Sequence, residues 1–274
     1  MDKSRMTEDL KSFNDLAEKF AEKELEKETL DSDRYPYTPF NENAWKKAVE
    51  IGLAALTLPE SFGGSGQGMA ALGVVIERIA SVDAGIAGLL LSQALAQAVV
   101  AELAPESLAK SCLAGFPIIA VPMYDLPDDI NTTVEAKKDG EGYVLQGWAP
   151  YLAAAPVAKY FIVPARVGVN ESAFFLVDRD AKGVVVQEPA VSLGLRQLPA
   201  SDVGLDGTRV GGQCRMNAGK FPAIVDRFRA AVAALALGVC EGSYENALDY
   251  ARERYQAKKM IIEHDQVRIM LSGM

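Results

Sequence analysis

The hydrophobic positions of the first 116 residues recur at helical spacing. Leu10, Phe13, Leu16 and Phe20 form one stripe, Trp45, Ala48 and Val49 a second, and Val74, Ile76, Ile79 and Ala80 a third, the pattern of helices that each bury one face. Asn41 and Asn43 stand where the second helix would be capped. A further segment, AGIAGLLLSQALAQAVVAEL over 84–103, is almost long enough to cross a bilayer, but Ser92, Gln93, Gln97 and Glu102 interrupt it. A buried helix of a helical domain is expected there, with no membrane span. From about 119 to 218 short runs rich in β-branched and aromatic residues take over: GYVLQG, KYFIVPARV, SAFFLVD, GVVVQEP and DVGLDGTRV. Asp139-Gly140 and Asp206-Gly207 read as hairpin or loop positions between them. After Phe221 the helical period returns in IVDRFRAAVAALALGVCEGSYENALDYARERY, where Ala230, Ala231, Ala233, Ala234 and Gly238 would admit a closely packed helix. The pattern therefore predicts an α+β chain: an N-terminal α-helical domain over 1–118, a middle antiparallel β-barrel or sandwich domain over 119–218, and the start of a C-terminal helical bundle over 219–274.

The last residues, HDQVRIMLSGM, set Val267, Met270, Leu271 and Met274 on one helical face. An apolar stripe needs a surface to bury it, so a continuation of the chain or another subunit is expected.

Composition narrows the function. The 274 residues are 49% hydrophobic and 24% charged, with a net charge of −9, which describes a globular chain with enough material for a sizeable core. The acidic balance excludes the basic surface that tracks nucleic acid. Cys112, Cys214 and Cys240 have no metal-binding spacing and read as buried free thiols of a reducing, cytoplasmic compartment. The polar start, MDKSRMTEDLKSF, carries no secretory pattern.

Chemistry-bearing motifs are few. LPESFGGSGQG (58–68) lacks a following Lys-Ser/Thr pair and a preceding strand, so it reads as a flexible connection between helices and not as a phosphate-binding loop. The single histidine, His264, has no nucleophile at a matching spacing and cannot build a metal site alone. Glu241, Glu245 and Glu253 read as a solvated carboxylate face. Leu90, Leu91, Ala94 and Leu95 either line a pocket or fill a core.

In order along the chain, several short motifs resemble the acyl-CoA dehydrogenase family. LPESFGGSGQG resembles its LPExxGGxG turn, VVIERIASVDAGIA (74–87) the helix that follows, and DGEGYVLQG (139–147) its dGxxyxLnG unit. LGLRQLPASDVGLDGTRV (193–210) resembles LGxRxxxxxxxxFxxxxV, and Arg229, Gly238, Ala247, Tyr250 and Arg254 fall at the spacing of its C-terminal motifs. The resemblance covers nearly the whole chain. It implies FAD held between the β domain and the C-terminal helices, an acyl-CoA substrate from fatty or aromatic acyl-CoA metabolism, and oxidation to a 2-enoyl-CoA. A glutamate takes the proton next to the carbonyl in that family, and an electron-transfer flavoprotein takes the electrons.

Carried over by position, the family's flavin loop falls on VPMYDLPDD (121–129), with Val121, Pro122 and Pro127 as cofactor contacts. Leu126 and Pro127 stand where the family has Gly-Ser, which removes a hydroxyl and a backbone donor from the pyrophosphate. The family's flavin-covering tripeptide falls on Tyr151, Leu152 and Ala153, so Tyr151 is expected to cover the ring and the Ala153 N–H to reach it. Arg254 matches an arginine that reaches the FAD pyrophosphate across a dimer interface, with Gln256 and His264 nearby, while Ala257 and Lys258 replace a Phe-Gly pair. Asp226 and Arg229 match positions near the CoA, and an ion pair joining helices is the other reading of Arg229. The family's usual catalytic glutamate lies beyond residue 274, and its alternative site is Phe228. No catalytic residue and no metal ligand is therefore assigned. The resemblance leaves two main readings, beside a third in which another flavin reaction of the same superfamily, such as a monooxygenation, dispenses with the glutamate. One is a dehydrogenase whose base comes from a further C-terminal part or a partner subunit. The other is a non-catalytic subunit, or interaction protein, that keeps the fold and assembles as a homo-oligomer or with an acyl-CoA dehydrogenase homologue.

Overall fold

The computed structural model describes residues 6–26, 29, 40–122, 133–168 and 171–274. Helix α1 (Glu8–Glu24) begins where the Thr7 hydroxyl accepts the amide of Leu10, and α2 (Glu42–Glu50) where Asn41 Oδ1 accepts that of Ala44 at 2.9 Å. Each cap satisfies a donor left open by the first turn. Asn43 lies inside α2 and does not cap it. Helices α3 (Met69–Ala80), α4 (Ala84–Leu103) and α5 (Glu106–Leu113) complete the helical layer.

Every residue of α4 from Gly85 to Gln97 is buried. The helix is long and apolar enough to cross a membrane, but 83% of its most apolar stretch lies inside the protein, and Leu90, Leu91, Ala94 and Leu95 belong to the core. Its polar residues tie neighbouring elements together. Gln97 Nε2 donates to the Ala54 carbonyl at 2.8 Å, and the Gln93 amide bonds both backbone groups of Ile119.

The glycine-rich turn between α2 and α3 is a bonded structure and not the flexible connection expected. The amides of Ser65, Gly66 and Gln67 reach back to the carbonyls of Ala55, Leu58 and Leu56 at 3.1, 2.9 and 2.9 Å. A Cβ on Gly64 would come within 2.1 Å of the Leu58 carbonyl oxygen, so only glycine allows the fold-back.

The β region corrects the expected antiparallel barrel or sandwich. Strands β1 (Ile119–Ala120), β2 (Glu135–Asp139), β3 (Gly142–Ala153), β4 (Tyr160–Gly168), β5 (Glu171–Asp178), β6 (Val184–Val186), β7 (Ala200–Gly211) and β8 (Arg215–Asn217) form one mixed sheet in the order β6-β7-β3-β2-β4-β5-β8. Strand β1 joins it parallel to β4, and β2 also meets β4 in parallel. The centre reads as an unbroken apolar run, Phe161–Ala165 on β4 and Ala173–Val177 on β5, because both faces of those strands are covered. Gly140 (φ 59°) turns the β2–β3 hairpin as expected. Asp206-Gly207, in contrast, lies inside β7: the register slips opposite Gln146, whose side chain accepts the Gly207 amide at 2.8 Å. Glycine in the left-handed region (φ 63°) makes a bulge there, not a turn.

Helix α6 (Phe221–Glu253) crosses α3 closely. A Cβ on Gly238 or Gly242 would fall 2.2 Å from the Glu77 carbonyl oxygen or 2.0 Å from that of Ser81. Its buried seam runs through Phe221, Ile224, Phe228, Ala231, Gly238 and Gly242, while Val232, Leu237, Val239, Tyr244 and Tyr250 face outward. The hairpin β9 (Tyr255–Gln256) and β10 (Lys259–Met260) then leads to α7 (Asp265–Ser272), where Ile269, Met270 and Met274 are exposed.

Candidate functional site

The expected site residues gather in three places. At the first, Val121 and Ala153 exchange backbone hydrogen bonds of 3.3 and 3.1 Å, so the segment leaving β1 is stitched to the end of β3 with Val121 and Pro122 both buried. The Ala153 N–H is thus already donated to the Val121 carbonyl, which corrects the expectation that it is open to a ligand. Pro127, with Leu126, lies outside the described residues.

Just before this bridge, the register of β3 against β7 shifts between Ala149 and Leu152. Leu152 returns to the buried face opposite Ser201, while Tyr151 is thrown outward at φ 50° with 55% of its surface exposed. Its amide donates to Asp202 Oδ1 at 2.8 Å. On the other side of the shift the Trp148 ring lies across Gly204, where a Cβ would come within 2.8 Å of it. Trp148, Gln187, Glu188, Ala190, Ser201 and Asp202 line a cavity of about 400 Å³. The buried Ser201 hydroxyl has no hydrogen-bond partner among the described residues. Asp202, Trp148 and Gly204 escaped the sequence reading, because an aspartate inside a strand and a lone glycine carry no marker of these contacts.

The second place is the first half of α6. Asp226 and Arg229 face one another, Nε to Oδ1 2.8 Å, both exposed. This pair lies within one helix. Phe228, between them in sequence, is buried. The chain enters α6 from β8 through the 3-10 turn Ala218–Lys220, and Arg215 and Asn217 of β8 help to wall a cavity of about 600 Å³ with Lys138, Tyr143, Glu171 and Ser172.

The third place is the β9–β10 hairpin. Arg254 ends α6, its carbonyl accepts the Ile261 amide at 2.8 Å, and His264 Nε2 lies 3.2 Å from the Gln256 carbonyl oxygen. The imidazole braces this hairpin and borders the start of α7. Ala257 and Lys258 both hold positive φ, 53° and 70°, the backbone of a type I′ turn that glycine or asparagine adopts more readily. Arg268 bonds the Asp265 carboxylate and holds it below the usual carboxylate range.

Elsewhere the thiols differ from expectation. Cys112 is buried, Cys214 half-buried and Cys240 exposed, so the third is not a core thiol. Among the described residues no cluster of three or more His, Cys, Asp or Glu is placed to hold a metal. Glu245 and Glu253 are exposed and Glu241 half-buried, as a solvated face requires.

A helical layer, a mixed sheet carrying an outward aromatic on a strand bulge, and a long helix packed back on the first layer together define the acyl-CoA dehydrogenase fold. The chain belongs to the acyl-CoA dehydrogenase family: the model of the acyl-CoA dehydrogenase N-terminal domain matches residues 7–116 and that of the C-terminal domain residues 223–274. It is 28% identical over 288 residues to benzylmalonyl-CoA dehydrogenase of Aromatoleum aromaticum, covering 98% of this chain and 75% of that protein. Cyclohexane-1-carbonyl-CoA dehydrogenase of Geobacter metallireducens is 30% identical over 241 residues, covering 81% of this chain and 63% of that protein. Among solved structures, a glutaryl-CoA dehydrogenase of Mycobacterium smegmatis in complex with FADH2 superimposes with a TM-score of 0.87 at 19% identity, over 99% of this chain and 73% of that one.

Proposed function

We propose that this chain forms the FAD- and acyl-CoA-binding part of a dehydrogenase that oxidises a ring-bearing acyl-CoA to its 2-enoyl thioester. The observation that carries this is Tyr151, an aromatic ring presented to solvent from a strand bulge beside the Val121–Ala153 bridge. The residues present fit a flavin: an exposed flat ring to cover it, an unsatisfied buried hydroxyl at Ser201 in the adjoining strand, and an exposed guanidinium at Arg254 for its phosphates. When bound, FAD supplies the two-electron oxidant, and the protein supplies alignment. Tyr151, Val121 and Pro122 hold the ring end, and Arg254 and Gln256 of a second copy hold the pyrophosphate. Asp226 and Arg229 orient the CoA. The names of the two relatives support an alicyclic or aromatic acyl group, and an electron-transfer flavoprotein is the proposed electron acceptor.

The proton acceptor is proposed to come from outside residues 1–274, from a further segment or a partner chain. Phe228 supports this, since a buried phenyl ring cannot take a proton. The same residue, with the engaged Ala153 amide, favours a second reading: a non-catalytic subunit that pairs with an active homologue.

Reconstitution with FAD followed by anaerobic titration with cyclohexane-1-carbonyl-CoA and benzylmalonyl-CoA separates them. Retained flavin whose visible absorbance bleaches on substrate, alone or with a homologue, supports the dehydrogenase. Protein that refuses FAD yet assembles with a homologue supports the second reading.

A further inference from the structure

The left-handed backbone of Tyr151 needs a cause. A bulky residue inside a strand rarely adopts φ 50°, and a residue at a register shift loses its ladder partner. Its neighbours are fixed by other means. Leu152 is buried and pairs with Ser201, Ala153 is bridged to Val121, and Ala154, also left-handed at 63°, donates to the Pro199 carbonyl at 2.8 Å. The Tyr151 amide donates to none of these backbone groups. It meets the carboxylate of Asp202, 51 residues away on β7. A charged acceptor makes a stronger and more directional bond than a carbonyl. Asp202 is itself anchored, since its carbonyl accepts the Gln187 amide at 3.0 Å and its neighbour Ser201 is pinned opposite Leu152.

We propose that Asp202 is a positioning residue of the cofactor site: by holding the Tyr151 amide it keeps the strand bulged and the phenol ring turned outward, in the pose that covers a flavin. The part concerning flavin rests on the function proposed above. The part concerning the backbone does not. Asp202 touches no reacting atom and acts through Tyr151 alone.

The test uses the full chain with Asp202→Ala, Asp202→Asn, Tyr151→Gly and the Tyr151→Gly/Asp202→Ala pair. It reads amide exchange at residue 151 without cofactor, and FAD affinity by flavin fluorescence. Asp202→Ala should speed exchange of the Tyr151 amide and weaken FAD binding, each by about tenfold, while Asp202→Asn, which keeps the acceptor oxygen, should stay within roughly threefold of the parent. In the Tyr151→Gly background, where the left-handed backbone is free of strain and no ring remains, Asp202→Ala should change FAD affinity by less than about twofold. Equal losses with and without Tyr151, or unchanged exchange in Asp202→Ala, would overturn the assignment. If the parent chain binds no FAD, the proposed function fails, and the exchange measurement alone decides the role of Asp202: protection lost in Asp202→Ala supports it, and protection kept refutes it.

Discussion

The side-chain amide of Gln93 grips the backbone of Ile119 from both sides, Nε2 donating to its carbonyl at 3.0 Å and Oε1 accepting its amide at 2.8 Å. Both residues are fully buried, so water cannot replace either bond. Gln93→Leu should cost roughly 2–4 kcal/mol, because two buried backbone groups lose their partner together. Urea unfolding checks this as a lower midpoint at an unchanged slope.

Gly238 and Gly242 set the distance between α6 and α3. Alanine at either position would drive a methyl group into a backbone carbonyl of the facing helix, so the helices must separate or bend, at a cost of about 1–3 kcal/mol or more. Gly219→Ala, where a Cβ would meet only a side-chain oxygen of Asn217 at 3.2 Å, should cost less in the same denaturation series.

Burial pushes the Cys112 thiol from its ordinary 9.0 up to about 12, with nearby Lys159 opposing and Asp178 and Cys214 reinforcing the rise. The folded protein then holds this proton more tightly than the unfolded chain. The resulting stability is complete below pH 9 and drains away as pH climbs from 9 toward 12, by at most about 1.4 kcal/mol per pH unit. Cys112→Ala should flatten the dependence of Tm on pH above 9, and an identical slope in parent and variant would refute the effect. Alkylation at neutral pH should mark Cys240, which is exposed, before Cys112.

The β9–β10 turn carries two left-handed residues without a glycine between them. Ala257→Asn with Lys258→Gly should stabilise the hairpin by roughly 1 kcal/mol through relief of that backbone. Slower exchange of the Ile261 amide, which bonds the Arg254 carbonyl, is the readout, since the exposed hairpin contributes little to global unfolding.

Arg254→Ala should weaken FAD retention about tenfold by removing a charged phosphate donor. Because Arg254 is exposed, the unfolding midpoint of the cofactor-free chain should not move. An unchanged affinity would remove Arg254 from the proposed cofactor site.

Much of this architecture was written in periodicity. The α1 to α3 stripes and the return of helix after Phe221 were legible because burial of one face imposes a spacing. The polar breaks at Gln93 and Gln97 in α4 both bond buried backbone. The mixed pairing was not legible: nothing local in Ile119–Ala120 says that it runs parallel to Tyr160–Phe161. Asp206-Gly207 misled because a left-handed glycine serves a strand bulge as well as a turn. At the site, Tyr151 was found by resemblance, but its backbone state depends on Asp202, a contact created by tertiary pairing alone.

The two-residue strand β1 is the first element after α5, yet it is seated against β4, which the chain reaches only after the β2–β3 hairpin is made. The strand belongs to the sheet by its pairing and to the helical layer through Gln93, which bonds both backbone groups of Ile119. A cut after residue 118 would part Gln93 from the buried backbone it holds, so neither half would keep the partners it has in the whole chain.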